Sequence, residues 1–418
     1  MRILILILLS PVVLWSQEWK LQWSDEFNGT ELNLQHWNYE IGNGEGGWGT
    51  GQIDYCTDRP ENVRVHKGFL KLGINKEDIS GFHYTAGRIN TRNKITAKYG
   101  RIEARIKIPA GRGIGAAFWM LPQDEKFGWW PRSGEIDILE INGHEIHRNY
   151  GTVHYMLSGQ RKYTGHDIIV PNDLSKEFHV YAIEWDEKII KWFLDDSLYH
   201  TFPIAEPIDE RTPFNERFYF ILSTGVGSDF SGKIIEDKLL PQTMEVDYLR
   251  VYKKVVHPEI QMAIGSEDGK SLELHFNEQI KPTADFSKIK FIGQENAVVS
   301  VQNKYRENNV LVLQLAKVLN SKDFMVALGA GAVTTLDQIP NKDLAAFTVI
   351  NLVSGSNPHW LGALTMSDAY TLEVSGSKKF TSDPSISKIE VLQNGKRVGC
   401  TISVDSLRPS KLLIKAGI

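Results

Sequence analysis

Gly134-Glu135-Ile136-Asp137-Ile138-Leu139-Glu140 sets three carboxylates within six residues, separated by large apolar side chains. Ile and Leu between acids read as a strand, because β-branched and bulky side chains fit a pleated, half-buried surface. Side chains alternate along a strand, so Glu135 and Asp137 share one face and Glu140 falls on the other. One extra residue, a β-bulge near Ile138–Leu139, returns Glu140 to the face of the other two, and bulges recur beside active sites. Glu135 and Glu140 are then four strand steps apart, roughly 13 Å between Cα atoms at ~3.3 Å per residue. A surface strand with alternating acids is the competing reading, and spacing alone does not choose.

The flanks do. Trp129-Trp130-Pro131-Arg132-Ser133 runs into the stretch, and Gly151-Thr152-Val153-His154-Tyr155 follows it. Aromatic planes beside paired acids suit a sugar ring, which has an apolar face and a polar edge. Two glutamates leaning toward each other close to roughly 5–6 Å, a spacing at which one carboxylate attacks and the other delivers a proton. Like charges that close disfavour ionisation and raise the pKa of one of the pair toward a value useful for proton donation, and spacing alone does not say which.

The chain has 418 residues, enough for two or three domains. Its apolar content of 42% and charged content of 23% are those of ordinary globular protein, so neither disorder nor a lipid-embedded chain is indicated. A net charge of −4 supplies no basic field and argues against a nucleic-acid partner. Of 11 Trp, all but Trp15 and Trp360 lie between residues 19 and 192, which puts an aromatic-lined site in one domain. Residues 1–16 read as a secretory signal: Arg2, then apolar Ile3–Trp15, then the small Ser16. The run is shorter than the about 20 apolar residues of a membrane span. The mature chain is therefore expected as a secreted monomer, extracellular or periplasmic, without membrane insertion. Cys56 and Cys400 fall in different expected domains, so two unpaired thiols are expected.

Residues 17–254 read as all-β. Ile102, Ala104, Ile106 and Ile108 alternate with Arg101, Glu103, Arg105 and Lys107, which predicts a half-buried strand. Glu187–Thr201 reads as a hairpin turning at Asp195-Asp196-Ser197, and Gly42–Gly51 as a loop near the site. Many strands without helical periodicity predict two stacked antiparallel sheets, a β-sandwich.

The run from Trp130 to Glu140 resembles the signature of glycoside hydrolase family 16, in its laminarinase-like branch. Trp23–Phe27, Tyr84–Ile89, Tyr99–Arg105, Phe118–Pro122, Glu184-Trp185 and Val246–Tyr252 resemble the family's other landmarks, in the family's order. The resemblance implies a concanavalin-like jelly roll whose concave face is a sugar cleft. It implies an endo-acting, retaining hydrolase of β-1,3-glucan with no catalytic cofactor. Glu135 is then the nucleophile, Glu140 the acid/base, and Asp137 the partner that orients Glu135. Trp119, Trp129, Trp130, His154, Arg88 and Asn43 match positions around the sugar. The three Trp also read as core, and His154 also as a structural histidine. Glu26, the carbonyl of Gly68 and Asp247 match a structural calcium site, since oxygen ligands from distant segments suit that ion. A buried Asp247 bonded to backbone amides is the alternative. Two stretches depart from the pattern. Trp48-Gly49-Thr50-Gly51-Gln52 lacks the commoner Asn-Asn-Glu, and Phe220–Gly227 lacks the usual Asn and Gly-Gly pair.

After Tyr252 the character changes. Residues 255–353 show short strands at sandwich spacing and resemble immunoglobulin-like modules. Residues 354–418 read as a partial second copy: Ser271-Leu272-Glu273-Leu274 aligns with Thr371-Leu372-Glu373-Val374, and Ser287-Lys288-Ile289 with Ser387-Lys388-Ile389. This region is expected to act as spacer or anchor rather than to bind carbohydrate. For the whole chain the alternatives are a hydrolase of mixed-linkage glucan, agar or carrageenan, and a non-catalytic glucan-binding protein on the same sandwich. Intact acids favour an enzyme over the latter. No cluster of Arg and Lys surrounds the motif to meet sulfate.

Overall fold

Alternation fixes the sheets. In the strand Gly100–Lys107, Ile102, Ala104 and Ile106 are fully buried, and Arg101, Arg105 and Lys107 carry ion pairs on the opposite face. The computed structural model describes residues 18–205, 208–266, 268–293, 295–303, 309–320, 324–344 and 346–351. Beyond these it describes the strands Thr365–Asp368, Thr371–Ser375, Val391–Gln393, Lys396–Val398, Cys400–Val404 and Lys411–Ala416. The expected signal at residues 1–16 lies outside the described residues, as do Trp360 and the Ser387–Ile389 half of the second alignment.

The chain divides into two compact units, Met1–Val255 and Val256–Ile418. In the first, a ten-stranded sheet runs Ser197–Pro203, Ile189–Leu194, His179–Trp185, Gly100–Lys107, Gln242–Lys254, Phe69–Ile79, Phe82–Ala86, Tyr55–Cys56. Trp19–Asp25 also pairs with Gln242–Lys254, and Val63–His66 with Phe69–Ile79. An eight-stranded sheet runs Gln160–Ile169, Arg148–Leu157, Glu135–Asn142, Ile114–Pro122, Phe218–Val226, Arg88–Asn90, Asn38–Tyr39, with Thr96–Ala97 beside Phe218–Val226. One core joins them. Ile106, Ile183, Trp185 and Trp192 of the first sheet cluster with Phe118, Ile136, Ile138 and Phe220 of the second. Each such side chain contributes about 1.5–3 kcal/mol on burial, so the two inner faces hold the sandwich together. The hairpin Ile189–Leu194/Ser197–Pro203 turns on Asp195 and Asp196, both at positive φ (47° and 62°), the two-residue geometry that matches strand twist. Cys56 is a free, buried thiol.

The second unit is all-β in its described residues and has its own core, built on Leu272, Leu274, Leu311, Leu313, Val326 and Leu328. Its main sheet runs Val298–Asn303, Val310–Leu315, Ser271–Phe276, Ile260–Gly265, closed by Ile350–Asn351 in parallel. Further along, Cys400–Val404, Lys411–Ala416, Thr371–Ser375 and Thr365–Asp368 pair in the corresponding order. Leu272 faces Leu313 in the first copy, and Leu372 faces Ile414 in the second. The sequence repeat is therefore also a repeat of topology.

Candidate active site

The site begins with a register change. Against Arg148–Leu157, Glu135 pairs with His154, Ile136 with Val153 and Asp137 with Thr152, but Glu140 pairs with Tyr150. Three steps on one strand thus face two on its neighbour. Against Ile114–Pro122, Asp137 pairs with Trp119 and the adjacent Phe118 pairs with Leu139, so Ile138 is the residue passed over. Ile138 and Leu139 both turn into the core. The extra residue restores parity, so Glu135, Asp137 and Glu140 all lie on the sheet's outer face.

A bulge takes backbone groups out of the ladder, and buried ones need other partners. The carbonyl of Asp137 accepts from the indole Nε1 of Trp192 at 2.7 Å. That of Ile138 accepts from Asn149 Nδ2 at 3.3 Å, and Asn149 also donates to the Tyr199 hydroxyl. Trp192 and Asn149 are both fully buried. Gly151 lets the indole through: a Cβ there would stand 2.5 Å from Trp192 Cδ1.

The electrostatics follow from burial. Glu135 is pushed up to about 8, chiefly by desolvation and then by the charge of Asp137. His154 and the Trp130 indole, which donates to Glu135 Oε2, act in the opposite sense. Glu140 is pushed up to about 7, first by desolvation and then by the charge of Glu135, with the Thr152 hydroxyl opposing. Asp137, the deepest, is raised well above the ordinary aspartate range by desolvation and by Glu140. The charges of Glu135 and Glu140 therefore act on one another across the bulge. His154 Nε2 lies 3.4 Å from Asp137 Oδ2 and 3.8 Å from Glu135 Oε1. Such a group of acids cannot be fully ionised at neutral pH, and a site with one ionised and one protonated carboxyl can do nucleophilic and acid–base work together.

The candidate sugar contacts occupy both sides of this strand. Trp119 is the cross-strand neighbour of Asp137 and donates to Ser223 Oγ at 3.2 Å. Trp130 and Trp129 are 44% and 82% exposed, well above what core residues show. His154 packs against Trp130, ring centroids 6.0 Å apart. Arg88 is nearly buried. Its guanidinium lies 4.4 Å from the ring centroid of Trp48 and 5.0 Å from that of Trp119, and it pairs with Glu40. Arg88 thus fixes two indoles. Asn43 donates to the carbonyls of Gln52 and Asp54 at 2.9 and 2.7 Å and ties down the glycine-rich loop. Gly47 in that loop has φ +66°, and a Cβ there would meet Gln52 N at 2.4 Å.

The expected calcium set is arranged differently. Both oxygens of Glu26 accept from Arg250, at 2.9 and 2.7 Å, and Asp247 Oδ2 accepts from Arg105 at 2.6 Å. Carboxylates held by guanidinium groups do not fit a hard cation, which gathers six to eight oxygens. Gly68 stands in a turn at φ +79°. Among the described residues, one group brings acids and a histidine within mutual reach: Glu135, Asp137 and His154, inside the carboxylate site itself.

Sequence reasoning missed Trp192, Asn149 and Thr152. Trp192 alternates with Ile190 and Leu194 and reads as core, which it is. Nothing local shows that its N–H reaches a carbonyl 55 residues earlier.

Comparison with known proteins bears on the same unit. The family model "Glycosyl hydrolases family 16" matches residues 51–232. The chain is 40% identical over 252 residues to the beta-glucanase of Rhodothermus marinus, which covers 57% of this chain and 86% of that protein. It is 37% identical over 260 residues to the glucan endo-1,3-beta-glucosidase A1 of Niallia circulans, covering 56% of this chain but only 38% of that longer protein. The laminarinase catalytic domain of Thermotoga maritima superposes with a TM-score of 0.53 at 38% identity, over 57% of this chain and 100% of that domain.

Proposed function

Because the chain belongs to glycosyl hydrolase family 16, we propose that it cleaves β-1,3-linked glucan internally, with retention of configuration, through Glu135 and Glu140. The observation that carries this reading is the bulged strand, which turns three mutually repelling carboxyls onto one face beside two exposed indoles. The Glu135 carboxylate attacks the anomeric carbon while Glu140 gives its proton to the glycosidic oxygen. The C–O bond breaks and the leaving sugar departs as an alcohol. Water then opens the Glu135 ester, its proton passes to Glu140, and the β configuration is restored. Asp137 and His154 hold Glu135 in place. No step passes through calcium.

Burial and the neighbouring acids raise both Glu135 and Glu140 above the ordinary glutamate range, so near neutrality the pair shares one proton. A sugar hydroxyl donating to Glu135 favours the arrangement that attack needs, Glu135 ionised and Glu140 protonated. We read the chain as exported, and its second unit as an immunoglobulin-like spacer or anchor.

The test is a reducing-end assay on laminarin, lichenan, agarose and carrageenan, with the anomer of the first product read by NMR. Fast release of β-configured oligosaccharides from laminarin is expected. An α-configured product, or cleavage of a galactan alone, refutes the assignment. Binding without cleavage makes the chain a glucan-recognition protein.

A further inference from the structure

The outer face carries one set of side chains that the proposed reaction does not use. The edge strand Gln160–Ile169 pairs with Arg148–Leu157 through its whole length. Tyr163 stands opposite His154, and His154 opposite Glu135, so the three form one row across the sheet. The Tyr163 ring is 71% exposed, with its centroid 6.0 Å from that of His154. Arg161, two residues away and so on the same face, lies 4.2 Å from the Trp130 ring centroid. The next residue on that face is Gly165, opposite Thr152, where a Cβ would come within 2.8 Å of Thr152 Oγ1. No positive φ requires glycine there. Glycine thus lets the edge strand sit close against Thr152.

Charged residues on an edge strand commonly serve to prevent sheet-to-sheet pairing. Arg161 and Lys162 fit that duty, but Tyr163 does not. An exposed aromatic ring one histidine away from the exposed Trp130 indole enlarges an apolar patch, the reverse of edge protection. Its row and its face instead continue the outer surface of the sheet from the carboxylates to the rim.

We propose that Tyr163 is a sugar platform at the edge of the sheet. It stacks on a β-glucan residue beyond those seated over the carboxylates, while Arg161 braces Trp130 as the neighbouring wall. This rests on the glucan-hydrolase reading and extends it: the enzyme favours chains long enough to reach the edge strand. Tyr163 is a specificity residue and takes no part in bond cleavage.

The experiment compares the full-length wild type, Tyr163→Ala and Tyr163→Phe on a graded series of β-1,3-gluco-oligosaccharides. Tyr163→Ala is expected to lose about five-fold more kcat/KM on long chains than on short ones, about 1 kcal/mol, mainly through KM. Tyr163→Phe, which keeps the ring, is expected to restore the length dependence. A uniform loss at all lengths that Phe does not repair assigns Tyr163 to folding and overturns the proposal. So does a length dependence that Tyr163→Ala leaves untouched. A wild type inactive on every chain sinks the glucan reading itself, a distinguishable result.

Discussion

Deleting Ile138 is the sharpest test of how the site is built. Ile138 is passed over in the pairing with Ile114–Pro122. After its removal, Asp137 still pairs with Trp119, Leu139 with Phe118 and Glu140 with Ala117. On the other side Asp137 keeps Thr152 and Glu140 keeps Tyr150, with Leu139 falling opposite Gly151. No register changes, and regular alternation then places Glu140 outward by itself. The cost is one fully buried side chain, about 2–5 kcal/mol. Recovered ladder bonds return about 0.5–1.5 kcal/mol each, while the stranded Trp192 and Asn149 donors offset that gain. A net loss of about 3–5 kcal/mol leaves a domain of ordinary stability folded at low temperature. Urea unfolding in the cold measures the loss, and the initial rate on laminarin reads function. Activity is expected to fall by less than the about 100-fold that a 1 Å misplacement costs. Insertion of an Ala after Ile138 flips Glu140 inward and is expected to match Glu140→Ala. If the deletion variant unfolds cooperatively yet is as inactive as Glu140→Ala, the bulge does more than correct parity, and the reasoning fails.

Trp192→Phe keeps an aromatic core residue but leaves the Asp137 carbonyl unpaired, at about 1–3 kcal/mol; a fall in Tm with kcat unchanged would show that the indole does not set the carboxylates. The rate on laminarin is expected to peak between about 7 and about 8, because below that window both carboxyls are protonated and above it both are ionised; a broad acidic optimum near pH 5 contradicts the burial argument. Glu135 binds its proton more tightly folded than unfolded, so its contribution to stability is complete below the free-glutamate pKa and is lost as pH rises toward about 8. Glu135→Gln is therefore expected to match the wild-type Tm at acid pH and exceed it at alkaline pH; equal Tm values throughout would refute the shift. Dialysis against a chelator is expected to leave Tm unchanged, since Arg250 and Arg105 already satisfy Glu26 and Asp247; a calcium-dependent rise would show that the arginines give way.

What the sequence made legible was what depends on period and on chemistry within one strand. The alternation at Ile102–Ile108, the turn at Asp195-Asp196 and the parity fault between Asp137 and Glu140 need no knowledge of distant residues. The contacts that fix the site do need it. For Arg88, expected at the sugar, the sequence does not show that its guanidinium also lies over the rings of Trp48 and Trp119, from two other segments. For Asn43, expected there too, it does not show that the amide also closes its own loop. Glu26 and Asp247 were oxygen donors by type, but whether an arginine lies beside them depends on the pairing of Gln242–Lys254 with Trp19–Asp25 and Gly100–Lys107.

The bulge also explains why the site depends on the sheet behind it. A regular strand satisfies its carbonyls with its neighbours, so its geometry is local. The extra residue takes two carbonyls out of that scheme and hands them to Trp192, on the opposite sheet, and to Asn149, which is held in turn by Tyr199. In the bulged strand those donors fix the backbone between Glu135 and Glu140. Substitutions around Trp192, remote from any sugar, should therefore lower kcat in proportion to their effect on the indole, whereas equally destabilising changes at Leu72, in a strand that does not pair with the site, should lower Tm alone. Equal effects on kcat from both would mean that general loosening of the core, and not the two hydrogen bonds, limits catalysis.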